Sequence, residues 1–220
     1  MIDNINATQK KHILTLEDPI EFVHENQMSL VNQREIGVHS RGFKQALRAA
    51  LREDPDIILV GELRDLETIE IAIETAQTGH LVFGTLHTNT AVSTVDRLID
   101  QFPVDRQNQI RVMLSESLKG VISQVLLKKK GGGRVAALET MIHSRALANL
   151  IREGKSFQIP SLMQTRKSHG NMLQLDAFVE LIRGGKVEPK EALSKSAAPE
   201  AAYAEFVRLG LMEAMDEAPG

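Results

Sequence analysis

Acidic side chains follow two short apolar runs of this 220-residue chain, at the points where each run ends. Glu62 comes just after residues 57–60, and Glu17, Asp18 and Glu21 follow an earlier run. An acid held at the end of a buried strand can orient water or contact magnesium beside the phosphates of a nucleotide. A hydrated Mg²⁺ ion needs only one or two protein oxygens besides those of the phosphates. Either acidic segment alone could equally be a solvated turn. A magnesium and nucleotide site therefore requires that both segments lie close together in the fold.

Two histidines bracket a third apolar run, residues 81–86. His80 and His87 are seven residues apart, so along a strand they are separated by about 23 Å and point to opposite faces, and they cannot bind one metal ion. We therefore predict no zinc site. His87, at the carboxyl end, could contact a terminal phosphate and report its presence, whereas His80 could serve a subunit contact. Arg64 adds a guanidinium near Glu62 that matches phosphate oxygens. A capping histidine and a surface ion pair are the ordinary alternatives.

The elements that would position these residues alternate between strand and helix. Alternation of this kind indicates an α/β fold, with a mostly parallel sheet covered by helices and functional loops at the carboxyl ends of its strands. The predicted strands cover residues 12–16, 57–60 and 81–86, and the predicted helices cover residues 41–53, 65–78, 90–102 and 105–125.

The second half of the chain has a different pattern. A flexible cationic segment, residues 128–134, predicts the tip of a hairpin. Short helices follow at residues 144–154, 158–167, 172–183 and 189–195. We therefore divide the chain into an α/β domain (residues 1–143), a helical lobe (144–195) and an Ala/Glu-rich tail (196–220) that is expected to be loosely ordered.

Composition excludes several classes of protein. The chain has no cysteine, which excludes disulfides and thiolate metal sites. It has no run of eighteen uncharged apolar residues, so we predict no transmembrane segment. A net charge of −3 and an aromatic content of 4% argue against a specific nucleic-acid partner.

Four segments together resemble the motifs of a known family. Residues 15–21 resemble an aspartate box, residues 51–65 a Walker B segment and residues 78–88 a histidine box of the type II/IV secretion ATPase superfamily. Residues 146–153 are similar to the Ala-Ile-Arg-Asn-Leu-Ile-Arg-Glu element of the type IV pilus retraction (twitching-motility) ATPases. Leu147 and Ala148 stand there in place of isoleucine and arginine. The resemblance extends from Met1 to about residue 195.

This resemblance implies a RecA-like P-loop NTPase core with a small C-terminal helical lobe. It further implies ATP and Mg²⁺ as cofactors, and a hexameric ring of identical subunits. The ring would be cytoplasmic, at the inner membrane of a bacterium, where it would engage a pilus platform protein. ATP hydrolysis would drive pilus disassembly and twitching motility.

The resemblance also implies roles for individual residues. Glu62 would be the catalytic carboxylate and Glu17 an acid near magnesium and water. His87 would be the histidine at the phosphate end, with His80 its partner in the histidine box. The remaining implied roles are phosphate sensing by Arg64, a place near magnesium for Asp18 and Glu21, and a retraction motif formed by Asn149, Leu150, Ile151, Arg152 and Glu153.

The sequence departs from the family at one important point. It contains no Gly-x-x-x-x-Gly-Lys-[Ser/Thr] loop, whose backbone N–H groups cradle phosphates. We therefore expect a copy truncated before this Walker A loop, which hydrolyses no ATP by itself. The alternatives are a non-catalytic ring or scaffold component with the same fold, and a secretion or DNA-uptake relative.

Overall fold

The computed structural model describes residues 1–213. The chain divides into two compact units. The first, here called the sheet unit, comprises residues 1–87 and 98–118, and the second, the hairpin unit, comprises residues 88–97 and 119–213.

The sheet unit contains a four-stranded parallel sheet in the order β2-β1-β3-β4. Its strands are β1 (His12–Glu17), β2 (Leu30–Glu35), β3 (Ile57–Val60) and β4 (Leu81–Gly84). The central strands β1 and β3 are apolar on both faces, as strands covered on both sides must be. The predicted parallel α/β architecture is confirmed.

Helices cover both faces of this sheet. On one face, Leu14, Leu16 and Val60 pack against α2 (Phe43–Ala50) and α3 (Leu66–Gln77). On the other face, the core includes Ile13, Val31 and Ile57 together with Ile2 of α1 (Ile2–Thr8). The remaining helices of the unit are a 3₁₀ turn (Leu51–Glu53), α5 (Val104–Ser117) and the end of α4 (Ala91–Asp100), which begins in the hairpin unit.

The helix α3 starts sharply because Asp65 caps it. The Asp65 carboxylate accepts hydrogen bonds from the Thr68 backbone N–H at 2.9 Å and from the Thr68 hydroxyl at 2.8 Å. A side-chain acceptor at this position satisfies an N–H that has no partner within the helix. The cap fixes where the loop after β3 ends and the helix begins.

The hairpin unit is built on the antiparallel pair β5 (Gly120–Lys128) and β6 (Arg134–Ile142). Buried Leu127, Phe178 and Phe206 are the large side chains of its core. The other helices of this unit are α6 (Arg145–Arg152), α7 (Ile159–Thr165), α8 (Gln174–Arg183), α9 (Pro189–Ser194) and α10 (Pro199–Arg208).

A buried carboxylate joins two helices of the hairpin unit. Glu139 of β6 is only 7% exposed, and its two oxygens accept the N–H of Ala91 at 2.5 Å and of Gln174 at 3.0 Å. These two amides begin α4 and α8, so a single side chain caps both helices.

The structure corrects three sequence predictions. The predicted helix over 105–125 is wrong beyond Ser117, because residues 120–128 form a strand whose burial alternates residue by residue. The hairpin packs with the C-terminal helices, so the boundary between units does not fall at residues 143/144. The expected loose tail contains α10, in which Phe206 is fully buried; residues 214–220 lie outside the described part.

Candidate functional site

The ends of β1 and β3 approach each other closely at the carboxyl edge of the sheet. The N–H of Gly61 donates to the carbonyl of Leu16 at 2.7 Å. A Cβ at position 61 would lie 2.9 Å from that carbonyl oxygen and 3.2 Å from the Cα of Glu17. Glycine therefore permits a contact that brings the residues after both strands, Glu17 and Glu62, to one edge.

Glu62 is the centre of a charged cluster at this edge. Its Oε2 lies 2.5 Å from Nη2 of Arg64, and its Oε1 lies 2.9 Å from Nε2 of His87. The Glu62 side chain is 19% exposed, whereas those of Arg64 and His87 are 59% and 87% exposed. The two partners therefore leave much of their surface open to solvent.

The charges in this cluster shift one another's pKa values. The guanidinium of Arg64, and to a smaller extent the imidazole of His87, lowers the pKa of Glu62 from its ordinary value of 4.5. Glu62 in turn raises the pKa of Arg64, and the nearby Asp18 adds to that effect. Glu62 is consequently an ionised carboxylate at neutral pH.

Hydrogen bonds between loops bring His87 to Glu62. The hydroxyl of Thr85 donates to the carbonyl of Gly61, and the N–H of Leu63 donates to the carbonyl of Thr85 at 3.0 Å. These bonds join the loop after β4 to the loop after β3.

Glu17 lies beside this cluster on the end of β1 and is half-buried. Its Oε1 accepts hydrogen bonds from the Thr15 hydroxyl at 2.6 Å and from Nε2 of Gln33 at 3.0 Å. Asp18 and Glu21 are exposed in the segment that follows β1. Asp18 is close enough to Arg64 to influence its pKa.

His80 is not part of this cluster. It precedes β4, at the amino end of the sheet, where its Nδ1 lies 3.2 Å from both the Thr75 carbonyl oxygen and the Thr78 hydroxyl. Both partners belong to the end of α3. The two histidines thus lie at opposite ends of β4, as strand geometry predicted, and a role for His80 in phosphate sensing stays a prediction.

The predicted retraction motif lies in the hairpin unit, at the end of α6. Ile151 is buried, while Arg152 and Glu153 are exposed. Asn149 and Leu150 line an open cavity of about 620 Å³ together with residues of α7. Ala148, where the family motif has arginine, is 8% exposed and packs inward.

The carboxylates fit a magnesium ion that is held mainly by phosphates and water. Within residues 1–213 no group of three or more His, Cys, Asp or Glu side chains is arranged to hold a metal ion. Mg²⁺ in nucleotide enzymes requires only one or two protein carboxylates besides the phosphate oxygens. Glu17 and Asp18 can supply them, but the complete phosphate-binding pattern Gly-x-x-x-x-Gly-Lys-[Ser/Thr] is absent from the sequence.

Sequence reasoning missed the residues that arrange the site. Gly61, Thr85 and Gln33 act through a close backbone approach and hydrogen bonds between segments that are distant in sequence. Gly61 was the easiest of the three to find from the sequence, because a glycine between a buried strand and an acid is typical of close backbone contact.

A helix-flanked parallel sheet with acids at the carboxyl edge of its central strands defines an α/β fold of the P-loop NTPase type. A family model described as "Type II/IV secretion system protein" matches residues 1–153. The chain belongs to this family, which confirms the resemblance drawn from its motifs.

The relatives of the chain include pilus ATPases. It is 56% identical over 201 residues to the type IV pilus retractation ATPase PilT of Pseudomonas aeruginosa PAO1, covering 91% of this chain and 58% of that protein. It is 54% identical over 193 residues to a twitching motility protein of Neisseria gonorrhoeae, covering 87% and 52%.

A solved structure shares the fold. The crystal structure of the pilus retraction motor PilT with bound ADP matches with a TM-score of 0.86 and 51% identity, over 91% of this chain and 57% of that chain. The chain thus spans about half the length of the relatives that it matches. Within the described residues, no helix is long and apolar enough to cross a membrane.

Proposed function

We propose that this chain is part of a type IV pilus retraction motor, an ATP hydrolase that couples ATP hydrolysis to pilus disassembly and twitching motility. The observation that carries the proposal is the cluster of Glu62, Arg64 and His87 beside Glu17, at the carboxyl edge of a parallel sheet. Relatives described as a pilus retractation ATPase and a twitching motility protein, at 56% and 54% identity, support it.

Glu62 is the carboxylate that acts on the attacking water. It is partly buried, ionised and fixed at the end of a rigid strand, so it can accept a hydrogen bond from water and aim its oxygen. Because Arg64 lowers its pKa, Glu62 is a weak base. Orientation and polarisation of the water, rather than early proton removal, therefore suit this residue.

Arg64 and His87 are the side chains that meet the terminal phosphate. Both are held on Glu62 and keep most of their surface exposed, so their remaining N–H groups are available to phosphate oxygens. When bound, Mg²⁺ and ATP supply the transferable phosphoryl group and the positive charge that offsets its negative charge. Competition between phosphate and Glu62 for these two donors would release the Glu62 carboxylate toward water.

Glu17 is the acid nearest to magnesium and water, with Asp18 and Glu21 in its vicinity. Glu17 is fixed by two hydrogen-bond donors, whereas Asp18 and Glu21 are exposed. A single ordered carboxylate with exposed acids nearby suits a hydrated Mg²⁺ ion, which keeps several of its waters.

We also propose that the parent protein forms a hexameric ring in the bacterial cytoplasm, at the inner membrane, and engages a pilus platform protein. Membership of the secretion family supports this assembly. In such a ring, a head-to-tail interface allows a residue of one subunit to complete the site of its neighbour. Arg152 and Glu153 form the exposed part of the retraction motif, and in this proposal they transmit motion.

A chimeric protein tests the catalytic part of the proposal. The part of the Pseudomonas aeruginosa PilT sequence that precedes the matched region is joined to Met1, and its ATPase activity is compared with that of residues 1–220 alone. We expect magnesium-dependent hydrolysis by the chimera and none by residues 1–220, because they lack the phosphate-binding loop. Robust turnover by the 220 residues alone would contradict this expectation.

A motility assay tests the biological part. The chimera is expressed in a Pseudomonas aeruginosa strain that lacks PilT, and the twitching zone is measured. Restored twitching, lost again in the Glu62→Gln chimera, is the expected result. If the purified chimera hydrolyses ATP but does not restore twitching, the proposed ATPase activity would stand and the proposed role as a retraction motor would be wrong.

One observation favours a second candidate, a non-catalytic ring or scaffold component. These 220 residues contain no complete Gly-x-x-x-x-Gly-Lys-[Ser/Thr] loop, which a catalytic ring needs and a scaffold does not. A folded chimera that forms rings but hydrolyses no ATP would favour this candidate.

A further inference from the structure

Gln33 is a neutral side chain in the middle of a cluster of polar groups at the end of the sheet. It lies on β2, in register with Thr15 of β1, two pairs before the pair Glu17–Glu35. Since alternate residues of a strand share a face, Thr15, Glu17 and Gln33 lie on the same side of the sheet.

The side-chain amide of Gln33 uses all of its hydrogen-bonding groups in a single orientation. Its Nε2 donates to Oε1 of Glu17 at 3.0 Å and to the carbonyl of Phe22 at 2.9 Å. Its Oε1 accepts the N–H of His24 at 2.7 Å. In a flipped amide, the Gln33 oxygen would face the oxygens of Glu17 and Phe22, and its NH₂ group would face the N–H of His24. These partners therefore fix the orientation of the amide.

The Gln33 amide and the Thr15 hydroxyl bind the same oxygen of Glu17. Both hydrogen bonds end on Oε1, at 3.0 and 2.6 Å. Thr15 is fully buried, so its hydroxyl is held in place by packing. With Oε1 fixed by two donors, Oε2 is the oxygen that Glu17 can present to a hydrated cation or a water molecule.

Gln33 also anchors the segment that follows β1. Its bonds to Phe22 and His24 hold the backbone just beyond Asp18 and Glu21. Since Phe22 is 67% exposed, packing of its side chain contributes little to this anchoring. One amide therefore ties the orientation of Glu17 to the path of the loop.

We infer that Gln33 is a positioning residue for Glu17, which it orients so that Oε2 faces the metal and water side of the site. This inference rests on the proposed function, in which Glu17 lies near magnesium. A neutral donor suits the task, because glutamate at position 33 would repel Glu17 and lysine would neutralise the charge that attracts the cation.

Binding of Mn²⁺, a paramagnetic substitute for Mg²⁺, tests the inference in the chimera with ADP present, because the ADP phosphates supply further ligands to the ion. The broadening of the Glu17 and Asp18 amide resonances is followed by NMR as Mn²⁺ is added. We expect Gln33→Leu to raise the half-broadening concentration about 10-fold, at the lower end of the range for partners of metal ligands. Glu17→Gln should abolish the broadening, and Gln109→Leu, the same change at an exposed site on α5, should leave it unchanged.

Two further measurements separate positioning from general destabilisation. In the Gln33→Leu chain, amide exchange at His24 should accelerate while the melting temperature stays close to that of the unchanged chain. In the chimera, Gln33→Leu should lower kcat about 10-fold and leave KM for ATP within about twofold. Gln33→Glu, which keeps the size and the acceptor for His24 but cannot donate to Glu17, should lower kcat as well.

The variants distinguish the possible failures. If Glu17→Gln weakens Mn²⁺ binding and hydrolysis but Gln33→Leu behaves like Gln109→Leu, the inference is overturned and the proposed role of Glu17 stands. If Glu17→Gln changes neither quantity, the role of Glu17 and the inference about Gln33 both fail. A fall in kcat that follows a matching loss of thermal stability in both Gln33 variants would also overturn the positioning role.

Discussion

Asp56 and Glu62 are carboxylates at opposite ends of strand β3, and each binds a cation and a second donor. At the amino end, Asp56 bonds Lys11 at 2.9 Å and the backbone N–H of His12 at 2.8 Å. At the carboxyl end, both partners of Glu62 are side chains, from loops that are largely exposed.

Under the proposed function, this difference separates a structural ion pair at Asp56 from a functional one at Glu62. A backbone N–H cannot leave its carboxylate without moving a strand, so Asp56 joins the start of β1 to the start of β3. The side chains of Arg64 and His87 can move to a phosphate while the backbone stays in place. We therefore expect similar polar groups to stabilise the amino end of the sheet and to bind a ligand at the carboxyl end.

The largest expected effect is that of Glu62→Gln on catalysis. The amide keeps the size of the side chain but cannot accept a proton or attract water as a carboxylate does, so hydrolysis by the chimera should fall about 100-fold or more. Nucleotide affinity, measured by fluorescence with a labelled ADP, should change little. Turnover equal to that of the unchanged chimera would remove Glu62 from the catalytic role.

The next effect concerns the backbone contact that brings the two strand ends together. Gly61→Ala places a Cβ 2.9 Å from the Leu16 carbonyl, and backbone atoms cannot rotate away, so unfolding free energy should fall by about 1–3 kcal/mol. At the control position Gly42, the added Cβ meets only the flexible end of Gln45. Urea denaturation of both variants measures the difference, and equal stability would contradict the importance of this contact.

A smaller effect is expected at the amino end. Asp56→Ala removes one backbone and one partly exposed side-chain interaction, and should lower the free energy of unfolding by about 1 kcal/mol at neutral pH. Hydrolysis by the chimera should be unchanged, which is the reverse of the Glu62→Gln result. A loss of hydrolysis without a loss of stability in Asp56→Ala would contradict the assignment of a stabilising role to Asp56 at the amino end of β3.

Asp56 also predicts a pH dependence. The His12 N–H, followed by Lys11, lowers the pKa of Asp56 from its ordinary value of 3.8. The stabilisation is therefore complete above pH 3.8 and is lost as the pH falls through the lowered pKa of the folded chain. Denaturation curves of Asp56→Ala and the unchanged chain should converge in acid, and a constant difference at all pH values would contradict this assignment.

Charge coupling within the site can be measured directly. Arg64→Gln removes the main cause of the lowered pKa of Glu62, so that pKa should rise toward 4.5. The carboxyl ¹³C resonance of Glu62, followed by NMR during an acid titration, gives the change. If the titration midpoint of Glu62 is the same in Arg64→Gln as in the unchanged chain, Arg64 does not form this ion pair with Glu62 in solution.

The smallest effect is expected from the histidine at the amino end. His80→Ala removes contacts only to the end of α3, so the Glu62 carboxyl resonance should not move. His87→Ala should shift that resonance, because His87 contacts Glu62 at 2.9 Å. A shift of equal size in both variants would show that the two ends of β4 are coupled.

The sequence was sufficient to predict three strands of the parallel sheet, β1, β3 and β4, and the position of the acids. The run Ile57–Val60 forms β3 with the predicted bounds, because four large apolar residues before a Gly-Glu pair allow few alternatives. Parallel pairing then places the acids after β1 and β3 at one edge. The distance between His80 and His87 also followed from strand geometry alone.

Features that depend on tertiary context could not be predicted in this way. Residues 105–125 carry apolar side chains at helical spacing, but pairing with β6 makes their last part a strand. The orientation of Glu17 depends on Gln33, which lies sixteen residues away on a neighbouring strand. No local pattern marks such a bond, since any polar residue on that face of β2 would look similar.

The position of β4 has a consequence for handling the chain. In the sheet as described, β4 is an edge strand, and Leu81 is 37% exposed. Edge strands present unpaired N–H and C=O groups that can pair with another molecule, and this drives aggregation. Aggregation of the 220-residue chain should therefore increase with its concentration, and a charged residue introduced in place of Leu81 should delay precipitation.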